Sequence, residues 1–367
     1  LITYLVYRGT KESKNFSNAM VYIKLAIIAL VIIVGAFYID IDNWTPFMPN
    51  GFSGVMGGVS AVFFAYIGFD AVSTLAEESK NPQRDLPKGM IYSLVICTAV
   101  FIVLALVITG MVSYELLGVS DPLAEIFALK GVKWMLFVVS IAAVVAMTSV
   151  LLVFQMGQPR IWMTMSRDGL MPKRFSRIHP KYKTPSYATL VTGLVVGLPI
   201  FFTDENFVLD FTSIGTLFAF VLVCGGVLML SPQSEAEIAE RETKGKFRIP
   251  YVNSKFIFPA IVVVAVALIL KYVPDFFINV FDFSTGEKLA TNIPMLVFLI
   301  VCIVMTFVSF TKNLSLIPLL GLISCCYLLT GMAVSNWMWF GVWLVIGLVI
   351  YFTFSYKNSK LNTEVEH

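Results

Sequence analysis

Apolar runs long enough to cross a lipid bilayer follow one another along almost the whole sequence. A spanning helix needs about 20 apolar residues, because each residue rises about 1.5 Å across a hydrocarbon core about 30 Å thick. Such runs cover residues 19–39, 55–76, 90–112, 134–157, 185–203, 211–230, 256–273 and 294–310. The uncharged stretch 313–356 would form a helix of about 66 Å, so it predicts two further spans, with a turn at Ser335 and Asn336.

The composition agrees with a polytopic membrane protein of the all-α class. Only 13% of the residues are charged and 58% are hydrophobic, whereas soluble domains carry about a quarter charged residues. Lysines and arginines are too scattered to predict nucleic-acid binding. The five cysteines lie in apolar runs, where cysteine behaves as a small hydrophobe, so we expect no metal site and no cofactor.

The basic residues are distributed very unequally between the two sides of the predicted membrane protein. With alternating spans, nearly all of the 26 lysines and arginines fall in loops on the side of the first loop. The opposite loops carry only Lys130, Lys133, Lys271 and Lys288, while Lys24 lies inside a span. Since positive charge accumulates in cytoplasmic loops, this pattern predicts a cell-membrane protein with a cytoplasmic C-terminus.

The first apolar run, residues 1–7, is too short to be a span. It would reach about 10 Å, a third of the hydrocarbon core. We therefore expect it to be the stub of a helix, and the chain to be an N-terminally truncated part of a longer protein. The sequence predicts no cleavable signal peptide, because a charged n-region and a small-residue cleavage site are absent.

Lys24 is an intramembrane cation about six residues into the span 19–39. One interpretation is a lysine that extends its ammonium group to the nearby interface. The other is a buried cation that faces the neighbouring helices and can change its protonation. Position alone leaves both interpretations open.

A second polar position is Asp70, about 15 residues into the span 55–76 and close behind Gly68. A carboxylate at that depth is costly unless it faces water or a partner. Membrane helices can break where they line a cavity, and the break makes backbone carbonyls available to a cation. The pattern favours a helix broken to bind substrate over a kinked packing helix with Asp70 near the surface.

Two longer blocks resemble a known family. Residues 63–87 read FFAYIGFDAVSTLAEESKNPQRDLP, and the block 147–185 contains GQPRIWMTMSRDGLMPKRFSRIHPKYKTP. Both resemble amino acid permeases of the amino acid/polyamine/organocation (APC) superfamily, in the cationic-amino-acid-transporter-like branch. The resemblance covers essentially the whole chain, with the two blocks in the family's order.

The resemblance implies a leucine-transporter-like fold, in which two five-helix inverted repeats surround a central site. Members of this branch have 14 helices, so this chain is expected to hold ten full helices plus the stub of another. Residues 1–39 would end the first repeat, and residues 55–231 would form the second. Residues 256–356 would supply four C-terminal helices, and residues 357–367 a cytoplasmic tail.

The resemblance also implies a substrate site. The backbone carbonyls of Phe64, Ala65 and Ile67 would receive the α-ammonium group of an amino acid. Gly68 would permit the unwinding of the helix, and Asp70 would hold the break open or contact substrate.

In proton-coupled relatives, a lysine at the position of Lys24 occupies the place of a sodium ion and faces a hydroxyl group on the eighth helix. Thr148 or Ser149 is therefore expected beside Lys24. From the residues alone these two are weak signals, because serine and threonine in membrane helices often bond to their own helix.

The predicted function is amino acid transport by alternating access, with protons and an amino acid as partners. The substrate is left open between neutral and cationic amino acids. The alternatives are a membrane sensor that binds amino acids without transporting them and a facilitative exchanger without proton coupling. A membrane enzyme using Asp168 and His179 is disfavoured, because their loop is strongly basic and typical of a solvated cytoplasmic connection.

Overall fold

The computed structural model describes residues 2–8, 10–119, 121–230, 251–274, 276–284 and 286–360. These residues are helical almost throughout, and their extended pairing is limited to one bridge between Asn253 and Ser315. The all-α class is therefore confirmed. Most of the predicted tail 357–367, the loop 231–250 and residue 1 of the stub lie outside the described residues.

The chain divides into two compact units, and each unit is made of segments that are not consecutive in the sequence. The first unit comprises Leu1–Pro49, Gly68–Phe202 and Gly347–His367, and the second comprises Asn50–Ile67 and Thr203–Ile346. The inverted repeats implied by the family resemblance are a separate division, which stays a prediction.

The first unit includes the helices α1 (Ile2–Arg8), α2 (Thr10–Ala36), α4 (Pro82–Met111), α5 (Pro122–Leu129), α6 (Lys133–Arg167) and α7 (Ser186–Gly197). One apolar core lies between α2, α4, α5 and α6. Val31, Met111, Phe127 and Met135 are buried together in this core. This packing sets the positions of α2 and α6, which carry Lys24 and Ser149.

The second unit has two smaller cores. Its helices are α3 (Gly51–Phe63), α8 (Glu205–Met229), α9 (Ser254–Tyr272), α10 (Phe276–Val280), α11 (Gly286–Thr311), α12 (Leu316–Leu329) and α13 (Val334–Ile350). Phe258 and Leu319 lie in one core, whereas Ile214, Leu217 and Phe340 lie in the other. The helix α12 contributes to both cores, so it joins the two halves of this unit.

Each predicted span corresponds to a helical element. Within the described residues, seven helices are long and apolar enough to cross a membrane: Asn18–Ala36, Pro82–Met111, Lys133–Arg167, Phe207–Met229, Ser254–Tyr272, Lys288–Thr311 and Val334–Asn358. Ser186–Phe201 and Leu316–Leu329 are shorter apolar helices. The remaining predicted span, 55–76, is the interrupted helix described below. The protein is therefore a multi-pass membrane protein.

Two predicted boundaries are wrong. The turn expected at Ser335 and Asn336 lies earlier, between the end of α12 at Leu329 and the start of α13 at Val334. The amide of Asn336 is buried against a partner in α8, so its polarity does not indicate a turn. The span ending at residue 157 continues as helix to Arg167, since a membrane helix can extend past the bilayer surface.

Candidate functional site

The segment from residue 51 to residue 78 is a helix interrupted at its centre. The α-helix α3 ends at Phe63 and passes into a short 3-10 turn, Phe64–Tyr66. Ile67 and Gly68 form a turn, and a second 3-10 helix covers Phe69–Glu78. The interruption thus falls on the residues to which the sequence assigned substrate binding.

Gly68 makes the interruption possible through its backbone conformation. Its φ angle is +119°, a region that residues with a Cβ atom rarely adopt. A methyl group at this position would lie 3.7 Å from the ring of Phe154, an ordinary contact. Backbone strain, rather than a lack of space, therefore requires glycine here.

Side chains within the segment satisfy backbone groups near the break. The Asp70 carboxylate accepts a hydrogen bond from the Gly68 N–H at 3.2 Å. The hydroxyl groups of Ser73 and Thr74 donate to the carbonyls of Asp70 and Ala71, at 2.6 and 2.7 Å. Because a polar group left unpaired in a membrane is costly, these contacts stabilise the non-helical conformation.

The three predicted substrate-binding carbonyls belong to residues inside the interruption. Phe64 and Ala65 lie in the 3-10 turn, and Ile67 lies in the turn before Gly68. An α-helix that ends leaves its last carbonyls without their usual partners. The backbone therefore has the irregular form that cation binding by carbonyls needs.

Lys24 and Ser149 meet where α2 packs against α6. The ammonium group Nζ of Lys24 donates to the hydroxyl oxygen Oγ of Ser149 at 3.2 Å. Ser149 is 2% exposed, and Lys24 is partly buried. Among the residues that the structure describes, no carboxylate forms a salt bridge with Lys24. The lysine thus points towards the neighbouring helix and a buried hydroxyl.

Thr148 does not join this contact. Its hydroxyl donates to the carbonyl of Val144 in its own helix at 2.8 Å. Of the two hydroxyl groups expected beside Lys24, the structure therefore brings only that of Ser149 within hydrogen-bond distance.

One polar contact was missed by the sequence reasoning. The Asn336 side chain in α13 donates to the Asp210 carboxylate in α8 at 2.7 Å. Asp210 directly precedes the predicted span 211–230, and Asn336 falls in the predicted turn at residues 335 and 336. The signal available in the sequence was a carboxylate and an amide that each adjoin a predicted apolar span.

His179, one of the two residues considered for an enzyme, has local structural partners. The Nδ1 atom of His179 accepts from the backbone N–H groups of Lys181 and Tyr182, at 3.2 and 3.3 Å. Its ring packs on those of Tyr7 and Tyr182. Within the described part of the chain, no group of three or more His, Cys, Asp or Glu side chains is placed to hold a metal ion.

These features define a polytopic helical membrane protein with a helix broken inside an apolar span. The family model described as "Amino acid permease" matches residues 1–299, and the model for the C-terminus of such permeases matches residues 314–359. The chain belongs to the amino acid permease family of the APC superfamily.

Named relatives are transporters. The branched-chain amino acid permease BcaP of Bacillus subtilis is 35% identical over 98% of this chain and 63% of its own length. The methylthioribose transporter of the same organism is 34% identical over 99% of this chain and 64% of its own length. The chloroplastic cationic amino acid transporter 9 of Arabidopsis thaliana is 42% identical over 66% of this chain and 43% of its own. The chain thus spans less than two thirds of these relatives' lengths.

Proposed function

We propose that this chain is part of an amino acid transporter of the cell membrane that works by alternating access and couples uptake to protons. The observation that carries the proposal is the break at Gly68, in a chain that belongs to the amino acid permease family. The second inverted repeat would be residues 55–231, and the C-terminus would lie in the cytoplasm.

In this proposal the carbonyls of Phe64, Ala65 and Ile67 bind the α-ammonium group of the substrate. A primary ammonium group has three donors and no acceptor, so a set of carbonyl oxygens complements it. Every amino acid substrate carries this group, and the carbonyls therefore recognise the class rather than one side chain.

Asp70 holds the break and does not bind the side chain of a cationic substrate. One of its carboxylate oxygens already accepts from the Gly68 N–H. A site for arginine or lysine would need a carboxylate that is available to the substrate's second charge. Asp70 is the acidic candidate in this segment, and the proposal assigns it to the break; the branched-chain amino acid permease among the relatives supports a neutral substrate.

Proton coupling would act through Lys24 and Ser149. A charged Lys24 donates to Ser149 and ties α2 to α6. Loss of the proton would leave an amine that binds the hydroxyl more weakly, since hydrogen bonds from charged donors are roughly twice as strong as neutral ones. Protonation would thus favour one packing of α2 on α6, and deprotonation would release it.

The relatives leave three substrate classes to compare. Their names give branched-chain amino acids, methylthioribose and cationic amino acids as the cargo of those proteins. Uptake of labelled leucine, alanine, arginine, lysine and methylthioribose should be measured in proteoliposomes holding the intact protein. Protein-free liposomes are the control.

We expect saturable uptake of leucine and alanine that exceeds uptake of arginine and lysine. Uptake of methylthioribose without any amino acid would contradict amino acid transport. Saturable binding of amino acids with no uptake would replace the transporter by a sensor.

A further inference from the structure

An apolar groove runs along one exposed face of α9. The groove is shallow and open, with a volume of about 600 Å³, and its lining residues all belong to this face of α9, including Phe256, Ala260, Val264 and Leu268. At 1.5 Å per residue, the groove extends about 18 Å from Phe256 to Leu268, slightly more than half of the hydrocarbon core. Its length therefore suits an acyl chain of a single leaflet.

A lysine lies at the end of this groove that is nearest the N-terminus of α9. The Nζ atom of Lys255 lies 5.7 Å from the ring centroid of Phe256, the first residue of the groove. The ring of Phe256 packs edge-on against that of Phe310 in α11, with centroids 5.8 Å apart. An aromatic pair with a cation above it is typical of the boundary between lipid tails and headgroups.

Polar contacts join the segment before α9 to the residues that follow α11, and each of these segments adjoins a lysine. The Asn253 amide donates to the Asn313 side-chain oxygen at 3.2 Å, and the Tyr251 hydroxyl donates to the Asn313 carbonyl at 2.9 Å. Lys255 follows Asn253 by two residues, and Lys312 directly precedes Asn313. Burial raises the pKa of the Tyr251 hydroxyl.

Lys312 also lies at a cavity that has both polar and apolar lining residues. It lines a space of about 570 Å³ between α8, α11 and α12, together with Leu228, Met305 and Leu322. Among the residues described by the structure, neither Lys255 nor Lys312 forms a salt bridge. Two cations without a salt bridge therefore flank the contact between Asn253 and Asn313, and we call this part of the surface the rim.

We propose that this rim and groove bind an anionic phospholipid, with its phosphate between Lys255 and Lys312 and one acyl chain along α9. The charge distribution predicts that this end of α9 faces the cytoplasm, where basic residues attract anionic headgroups. A transmembrane helix of another chain could cover the groove but would leave two cations unmatched. The charge of the rim therefore selects a lipid, and an anionic one.

The direct test is lipid retention by the intact protein, measured by native mass spectrometry after delipidation in a non-ionic detergent. Phosphatidylglycerol and phosphatidylcholine with identical acyl chains are the two probes. We expect tighter binding of phosphatidylglycerol. The double variant Lys255→Gln, Lys312→Gln should weaken that binding roughly 5-fold for each lysine removed and leave phosphatidylcholine unchanged.

The chain offers a matched control at the other end of the same helix. Lys271 stands over Tyr272 at 5.4 Å, much as Lys255 stands over Phe256, but it lies beyond the groove. Lys271→Gln should leave phosphatidylglycerol binding unchanged. Equal retention of the two lipids by the wild type, an unaffected double variant, or an equal loss in Lys271→Gln would each overturn the proposal.

Binding of the acyl chain in the groove along α9 has a separate test. Ala260→Trp would fill the groove and should weaken retention of both lipids. Val263→Trp is its control, because Val263 is 68% exposed and lies outside the groove. Identical retention in these two variants would contradict binding of the chain along α9. Since uptake is not measured, these outcomes are independent of the proposed transport function.

Discussion

Two membrane helices of this protein respond in opposite ways to residues that disturb helices. The helix α6 contains Pro159 and remains continuous over 35 residues, from Lys133 to Arg167. The segment from residue 51 to residue 78 has no proline, yet it leaves the α-helical conformation after Phe63 and turns at Gly68. The presence of a proline therefore does not by itself predict where a membrane helix is interrupted.

The two positions differ in how the backbone around them is held. Proline removes one N–H group, and membrane helices tolerate this through their neighbours. One turn before Pro159, the buried Gln155 side chain donates to the Thr189 carbonyl in α7, which holds the two helices together. At Gly68 the positive φ angle is incompatible with a helix, and the Asp70 carboxylate accepts from the freed N–H.

The substitution Gly68→Ala tests most directly whether the interruption of the helix depends on this glycine. A side chain at φ +119° costs about 1–3 kcal/mol of strain, so the initial rate of uptake should fall about 5- to 100-fold. Gly58→Ala in α3 is the control, since a Cβ atom there meets nothing within 4 Å. Equal rates in the two variants, at equal amounts of protein in the liposomes, would show that the break does not depend on Gly68.

Replacement of Asp70 separates its two possible roles. Asp70→Ala leaves the Gly68 N–H without its acceptor, at a cost of about 1–3 kcal/mol, and should lower the initial rate roughly 10-fold. Asp70→Asn keeps an acceptor oxygen and should retain most of the rate. If the asparagine variant lost as much activity as the alanine variant, the negative charge itself would be needed and Asp70 would act on substrate.

The polar residues of α6 give a third prediction. Ser149→Ala removes the acceptor of Lys24 and should reduce the stimulation of uptake by a proton gradient about 10-fold, because a hydrogen bond to a charged group contributes about 1.5 kcal/mol or more. Thr148→Ala should leave the stimulation unchanged, since that hydroxyl bonds to its own helix. The two variants should be compared with and without the gradient, and equal losses would remove the special role of Ser149.

The smallest effect is expected for Pro159→Ala. The helix α6 is already continuous there, so alanine adds one backbone hydrogen bond without changing the path of the chain. Uptake should change less than about 2-fold, and thermal unfolding in detergent should occur at the same or a slightly higher temperature. A loss similar to that of Gly68→Ala would mean that Pro159 also shapes a functional irregularity.

The sequence predicted the features that depend on single runs and motifs. The apolar runs gave the ten helical elements, and the block around Gly68 indicated the family and the position of the break. Both follow from local properties, namely length, polarity and the conformational freedom of glycine.

Features that depend on packing between distant residues could not be predicted. The choice between Thr148 and Ser149 depends on the rotation of α6 about its axis relative to Lys24, which the sequence does not state. The buried position of Asn336 depends on a partner in α8 that lies 126 residues away in the sequence. The segments that carry Lys255 and Lys312 meet only through the contact between Asn253 and Asn313.

The central claim is that a broken helix and a lysine-linked helix pair make a proton-coupled amino acid transporter. It is tested most directly by uptake of labelled leucine into proteoliposomes holding the intact protein, with and without an inward proton gradient, for the wild type and Lys24→Ala. The account predicts saturable uptake that the gradient increases in the wild type and does not increase in Lys24→Ala. Gradient-stimulated uptake of the same size in Lys24→Ala, or wild-type uptake indifferent to the gradient, would contradict it.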